Sequence, residues 1–242
     1  MNKKFDIIGF IPARSGSTRI KNKNLKLLGG RPLIYWSVLK ALKSKKFNKI
    51  IFSSDSRRYF NILKKFLKKD KIDHKILIFD KRSLAHSQTK SKIFDYIKYD
   101  LIKKFHLNKN HLLVQLLPTC PLRKINTIKK IVSLALHKEK NVFSICEYDF
   151  HVSFALSLKN LYWKPLFKNS PLITGKTQSQ SQIKYFHPNG VVNCLFVKYL
   201  KKSNNSIYEN AIPVVVSKKE SLDLDTKEDL EIIKIIIEKK YN

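Results

Sequence analysis

Apolar and polar positions follow two rhythms along this chain. The run from Phe5 to Phe10 is short and almost wholly apolar, the pattern of a strand covered on both faces. Leu33 to Leu42 carries apolar residues at helical spacing, with Pro32 suited to the first turn. Lys49 to Asp55 reads as a strand ending in a polar turn. The alternation continues with a helix at about Arg57 to Lys68, a strand at Lys75 to Phe79, a helix around Ser91 to Phe105 and a strand at His111 to Leu117. A helix from about Asn126 to His137 and a strand at Asn141 to Cys146 follow. Strands alternating with helices of this length imply βαβ units, and hence an α/β fold with a mostly parallel sheet flanked by helices.

The rhythm breaks near residue 147. From Glu147 to about Lys184 the chain is richer in aromatics, Ser, Gln and Pro, with strand-like pieces such as Ser153 to Leu158 and no clear helix. Apolar strands return at Val191 to Val197 and Ile212 to Val216, and an amphipathic helix is expected from about Thr226 to Lys240. There is no internal repeat and no low-complexity tail.

Length and composition bound this picture more than they change it. A chain of 242 residues suits one α/β domain spanning 1–242, and no linker-like stretch argues for two. The formal charge of +31 would suit a nucleic-acid binder or a protein resting on an anionic membrane. The lysines are spread evenly among Ile and Asn rather than gathered in a stripe, so the charge reads mostly as background, and no specific nucleic-acid partner is expected. No apolar run approaches the roughly 18 to 20 residues of a membrane span. Met1-Asn2-Lys3-Lys4 imitates the start of a signal peptide, but Asp6, Pro12 and Arg14 interrupt any apolar core, and a cytoplasmic protein is expected. Cys120, Cys146 and Cys194 are an odd number without C-x-x-C spacing, which points to free thiols rather than disulfides or zinc.

Candidate chemistry gathers where strands end. After the first strand comes Ile11-Pro12-Ala13-Arg14-Ser15-Gly16-Ser17-Thr18-Arg19-Ile20-Lys21-Asn22-Lys23-Asn24, and open α/β sheets hold ligands at such strand-to-helix loops. Arg14, Arg19, Lys21, Lys23 and Lys26 supply positive charge, while Ser15, Gly16 and Ser17 allow backbone N–H groups to converge on an anion. The pattern is neither the P-loop nor the dinucleotide fingerprint, which leaves a polyphosphate held by some other loop, or merely a basic loop in a basic protein. Gln115-Leu116-Leu117-Pro118-Thr119-Cys120-Pro121-Leu122-Arg123 brings a turn, a hydroxyl and an arginine to the same edge, unless it is a plain connection. In Ser221-Leu222-Asp223-Leu224-Asp225-Thr226, Asp223 and Asp225 are spaced to point the same way and present oxygens to one Mg²⁺. The competing explanation is a helix cap: Asp225 or Thr226 as N-cap, with Glu228 or Asp229 completing a capping box. That accounts for Asp225 but not for Asp223.

Taken together these stretches resemble the cytidylyltransferases that activate sialic acids and related nonulosonic acids. Their first loop reads A-R-x-x-S-K-G-x-x-x-K-N, on which Ala13, Arg14, Ser17, Lys23 and Asn24 fall, with Thr18 and Arg19 in place of Lys-Gly. Their L-L-Q-P-T-S-P-L-R is met at Pro118, Thr119, Pro121, Leu122 and Arg123, with Cys120 for the serine. The glutamine that contacts the sugar in that family is Leu117 here. Gln115, on the same strand face roughly 7 Å further back, is the candidate substitute. Phe186-His187-Pro188-Asn189-Gly190 resembles F-R-P-N-G near the sugar pocket, and Ser91 aligns with the serine of L-A-x-D-x-x-x-S. D-[IL]-D-T-x-x-D-L is matched by Asp223-Leu224-Asp225-Thr226 and onward to Leu230.

The resemblance implies a Rossmann-like nucleotidyltransferase fold whose extension, about 147–187, packs against a second subunit, making a homodimer. It implies transfer of CMP from CTP to a sugar acid with release of pyrophosphate, Mg²⁺ being held by Asp223 and Asp225. Arg14 and Lys23 would act on the phosphates, and Ala13, Ser15, Gly16, Ser17, Arg19, Asn24 and Ser91 would line the nucleotide site. Gln115, Thr119, Arg123, His187 and Asn189 would face the sugar acid. Two alternatives remain: the sister enzyme for 3-deoxy-manno-octulosonic acid, whose loop Ser17-Thr18-Arg19 echoes but whose Q-G-D-x-P motif is missing, and a basic nucleic-acid-binding protein.

Overall fold

A computed structural model describes residues 5–83, 85–88, 91–178, 180, 182–200 and 206–241. Met1–Lys4, and Leu84, Thr89 and Lys90 of the serine-rich piece, lie outside them. The strands are β1 Asp6–Pro12, β2 Leu27–Leu28, β3 Arg31–Pro32, β4 Lys49–Ser54, β5 Leu77–Lys81, β6 His111–Gln115, β7 Val142–Glu147, β8 Leu156–Lys159, β9 Tyr162–Pro165, β10 Phe186–Phe196 and β11 Ile212–Val215. Seven of them form one sheet in the order β11-β7-β10-β6-β1-β4-β5. β6, β1, β4 and β5 run parallel, and β11 runs parallel to β7. β10 is antiparallel to both of its neighbours, so the sheet is mixed but mostly parallel.

The strands read as apolar runs because both faces are covered. Helices Leu33–Ser44, Arg57–Lys69, Ile125–Lys138 and Lys227–Tyr241 send Leu33, Leu63, Ile128 and Ile233 into the core on one face, where Ile11 and Phe52 meet them. The opposite face is covered by a helix running from Ile93 to Lys104, with a π turn over Ile97–Leu101. Its Tyr96, Ile97 and Leu101 pack on Ile8, Phe10 and Ile51. Alternation along β1 and β4 thus divides their side chains between two cores.

The expected helices and strands agree with these to within a few residues, with two departures. β10 begins at Phe186, five residues before its apolar run, because Phe186 and His187 pair with Glu147 and Cys146 ahead of a register shift between Pro188 and Asn193. The strand expected over Ser153 to Leu158 is instead a 3-10 turn, Val152–Phe154, followed by β8, which pairs only with β9 in a separate hairpin. Nothing in the hairpin is buried: β8 is exposed throughout and β9 at Tyr162, Trp163 and Lys164.

Candidate active site

Parallel strands deliver their following loops to one edge of a sheet. Here that edge collects the loop after β1, the turn after β4, the segment after β5, the proline-framed turn after β6 and the approach to the last helix. The approach is tied in by its backbone, the Leu224 N–H donating to the Thr119 carbonyl at 2.9 Å.

Lys23, Arg19 and Asp225 meet there. Lys23 Nζ donates to the Leu224 carbonyl at 2.7 Å and to Asp225 Oδ1 at 2.9 Å, and Arg19 Nη1 lies 2.9 Å from Asp225 Oδ2. Burial alone would raise the Asp225 pKa, but the hydrogen bonds and charges of Lys23 and Arg19 outweigh it and hold the carboxyl below the usual range. Asp223 sits deeper. Burial pushes its carboxyl up, a hydrogen bond from Thr119 works against that, and the charge of Asp225 adds to the rise. The Cys120 thiol lies 3.9 Å from Asp223 Oδ1 and, being fully buried, is pushed up to about 12.

Of the capping pairs the sequence allows, the structure uses Thr226 with Asp229. Asp229 Oδ2 accepts from the N–H groups of Asp225 and Thr226 at 3.0 and 2.7 Å, and the Asp229 N–H donates to Thr226 Oγ1 at 3.2 Å. Thr226 and Asp229 form the capping box, so the cap uses neither the Asp223 carboxylate nor that of Asp225, whose oxygens meet Lys23 and Arg19.

The first loop is held from below. Asn24 is buried and donates to the Arg14 carbonyl at 2.8 Å, so its amide fixes the loop rather than facing out of it. Ser15 differs from expectation too: its N–H and hydroxyl donate to Asp55 Oδ1 and Oδ2 at 2.8 and 2.5 Å, which occupies the groups an anion would use. Ala13 is buried, with its N–H on the Ser53 carbonyl at 2.8 Å, and Gly16 is exposed. Ser17 donates its N–H to the Ser15 carbonyl at 2.9 Å. Ser91 directs its hydroxyl to the Ala85 carbonyl at 2.5 Å and closes its own loop.

The residues expected at the sugar divide differently. Arg123 is wholly buried, and its guanidinium donates to the carbonyls of Leu117 and Gly190. Burial lowers its pKa to about 10. Arg123 thus joins the turn after β6 to β10, while its Nε and Nη1 have no hydrogen-bond partner among the described residues. Gly190 is the other half of that junction: a Cβ there would lie 2.4 Å from a Leu117 methyl. Asn189 likewise spends its amide on structure, accepting from Ser144 Oγ at 2.5 Å and donating to Ser221 Oγ at 2.8 Å. Gln115 is buried and accepts from Asn193 Nδ2 at 3.1 Å. Thr119 belongs with Asp223. His187 is half-buried against Tyr148, ring centroids 4.8 Å apart, where the extension leaves the sheet.

Two residues at this edge were not singled out by motif. Asp55 holds Ser15, as described. Arg82, beside β5, is 4% exposed, and its Nε has no hydrogen-bond partner among the described residues. Burial depresses its pKa, offset by the charges of Asp55, Tyr96 and Asp80. The sequence signal for both was available: a charged residue directly after an apolar parallel strand lies at the ligand edge.

Among the described residues no group of three or more His, Cys, Asp or Glu side chains is arranged for a metal, and no helix is long and apolar enough to cross a membrane. Two carboxylates of hard oxygen close enough to feel each other's charge do fit Mg²⁺, which takes one or two protein carboxylates and completes its shell with phosphate and water.

Similarity to known proteins bears on the family and the fold. The chain is 28% identical over 239 residues to an N-acylneuraminate cytidylyltransferase of Escherichia coli O18:K1:H7, covering 97% of this chain and 52% of that protein. It is 27% identical over 240 residues to a CMP-N,N'-diacetyllegionaminic acid synthase of Legionella pneumophila subsp. pneumophila, covering 96% of each. The chain therefore spans about half the length of the first relative and nearly all of the second. In fold it is similar to a CMP:2-keto-3-deoxy-manno-octonic acid synthetase complexed with CTP, with a TM-score of 0.66 at 14% identity over 97% of this chain and 99% of the other. A family model described as cytidylyltransferase matches residues 8–161, and the chain belongs to that family.

Proposed function

We propose that this chain transfers CMP from CTP to a nonulosonic acid of the sialic, legionaminic or pseudaminic type, releasing pyrophosphate. The observation that carries the proposal is the meeting of Lys23 with Asp225 across 202 positions of sequence, with Arg19 on the same carboxylate. Transfer between phosphate and hydroxyl asks a protein for positioning and charge neutralisation rather than covalent chemistry. Cations from the first loop beside carboxylates from the last supply both. The names of the relatives support cytidine as the nucleotide and a nonulosonic acid as the acceptor.

In this reading Arg14, Arg19 and Lys23 bind the phosphates, and the anomeric hydroxyl of the sugar acid attacks the α-phosphorus in line as pyrophosphate leaves. Asp223 and Asp225 hold Mg²⁺, Thr119 orienting Asp223 by its hydrogen bond. When bound, the metal withdraws negative charge from the phosphates. The sugar acid lies toward His187 and the base of the extension.

The extension supports a homodimer. Phe150, Leu158, Leu161, Tyr162, Trp163 and Ile183 are between 52% and 94% exposed, large apolar groups gathered on one segment. A second copy covers it in this proposal. Three buried free thiols and a reaction that consumes CTP favour the cytoplasm as the place of work.

Purified protein incubated with CTP, Mg²⁺ and a panel of nonulosonic acids should release pyrophosphate with at least one of them. No release with any acid, including 3-deoxy-manno-octulosonic acid, would sink the proposal. Release with the last alone would move it to the sister reaction.

A further inference from the structure

The loop after β1 is loaded with cations, yet one of the side chains that hold its backbone is an acid. Asp55 closes β4, and its two oxygens take the N–H and the hydroxyl of Ser15 at 2.8 and 2.5 Å. The strand end that carries it is itself fixed, since Ser54 Oγ accepts the Ser56 N–H at 3.1 Å. One helical turn later, Tyr59 directs its hydroxyl to the Ser15 carbonyl at 3.4 Å and to Asn22 Oδ1 at 3.3 Å. Both attachments come from the neighbouring βα unit, and both act on the residue directly after Arg14. A loop containing Ser-Gly-Ser would otherwise sample many backbone conformations, which binding would have to give up. Ordering it in advance removes that cost from binding.

We propose that Asp55 is a positioning residue for the nucleotide: by gripping Ser15 at two points it sets the backbone so that Arg14 and the turn Gly16–Arg19 face the phosphates, without touching the nucleotide itself. The proposal rests on the CTP reading above. The charge of Asp55 is not what serves this role, because a carboxylate near phosphates repels them. The pair of acceptors is. Asparagine keeps that geometry: its carbonyl accepts the Ser15 N–H, and the Ser15 hydroxyl turns to accept from its amide.

The test compares Asp55→Ala and Asp55→Asn in two readouts, CTP kinetics and trypsin cleavage after Arg14, Arg19 and Lys21 without nucleotide. Asp55→Ala should raise the KM for CTP roughly 10 to 30-fold, with kcat changed less than about threefold, and should speed cleavage about 10-fold. Asp55→Asn should recover most of both. Ser15→Ala, which removes one point of the grip from the loop side, should give a smaller rise and add nothing to Asp55→Ala. It also stands in if that variant does not fold. An unchanged KM in Asp55→Ala and Ser15→Ala overturns the proposal, whether or not cleavage speeds up. Asp55→Asn as damaging as Asp55→Ala also overturns it, since charge would then matter. Failure of the CTP reading shows separately, as a wild type that neither binds CTP nor turns it over.

Discussion

The carboxyl edge of the sheet and the extension over residues 147–187 use their side chains in opposite ways. At the edge, polar groups go inside: Ser53, Asp80, Arg82, Gln115, Arg123 and Asn193 are all 4% exposed or less. Asp80, wholly buried, accepts from Ser53 Oγ and Tyr96 O–H at 2.6 Å each and from Lys104 Nζ at 2.5 Å. In the extension apolar groups go outside, Leu161 reaching 94% exposure and Tyr162 82%. Burying polar groups is costly unless they are paired, so the edge maintains a fixed geometry at some expense. Exposing apolar groups is costly unless something covers them. The edge is therefore held mainly by contacts within this chain, with Arg82 Nε, Arg123 Nε and Nη1 and Asn193 Oδ1 left without a hydrogen-bond partner among the described residues, and in the proposed homodimer the extension is the surface that a second copy covers.

The largest effect should come from the carboxylates at the edge. Asp223→Asn is expected to lower kcat about 10³-fold, the scale of losing a principal electrostatic group, while leaving thermal unfolding nearly unchanged. Asp225→Asn should do much the same. A near wild-type kcat for Asp223→Asn at saturating Mg²⁺ would remove the metal from this site.

Arg123 tests the other half of the edge, its role as scaffold. Arg123→Ala opens a cavity and strips hydrogen bonds from the carbonyls of Leu117 and Gly190, and should destabilise the protein by about 3 kcal/mol in urea unfolding. The folded fraction should retain its KM for the sugar acid within a few-fold. A large rise in that KM with little change in stability would return Arg123 to the substrate.

The extension should respond in assembly and not in chemistry or folding. Replacing Leu161 and Trp163 together by serine is expected to weaken the dimer at least 100-fold, or about 2.7 kcal/mol, as expected when interface anchors are lost. Sedimentation would read this, with circular dichroism of the sheet and helices unchanged. A wild type that sediments as a monomer at tens of micromolar, or a double variant that stays dimeric, would break the contrast drawn above.

What was legible in the sequence follows the same division. The strands were visible because a segment covered on both faces must be an apolar run, and the helix boundaries were good to a few residues. The apolar run from Val191 marks only the later part of β10, because the strand's first residues pair with β7 ahead of a register shift that no local pattern records. In the site, the motifs mark positions along the chain but not the direction in which each side chain turns. Arg123 and Asn189 fall on sugar-pocket patterns, and both turn inward to join β6, β10 and the short helix Lys218–Ser221. The position of Asp55 directly after an apolar strand marks it as an edge residue, but its partner Ser15 is 40 positions away and no local spacing records that contact.

The smallest expected effect separates two neighbouring cations of the first loop. Arg19 and Lys21 are both exposed, yet Arg19 Nη1 is 2.9 Å from Asp225 Oδ2, whereas Lys21 precedes Asn22, whose left-handed backbone (φ 54°) turns the chain before Lys23. An ion pair as open as Arg19 with Asp225 adds little to stability, so Arg19→Ala should leave unfolding unchanged. Its consequence should be for the nucleotide. A guanidinium grips two phosphate oxygens at once, and Thr18 stands where the resembled loop carries lysine, so in the proposed reaction Arg19 is the candidate substitute cation. Arg19→Ala should raise the KM for CTP roughly 10-fold, the worth of one charge-assisted hydrogen bond, and Lys21→Ala less than about twofold. Added salt should narrow the gap, because both groups are solvent-exposed. The reverse order, a large loss in Lys21→Ala with Arg19→Ala behaving as wild type, would mean that Arg19 only balances Asp225 and that the phosphates lie on the other side of the loop.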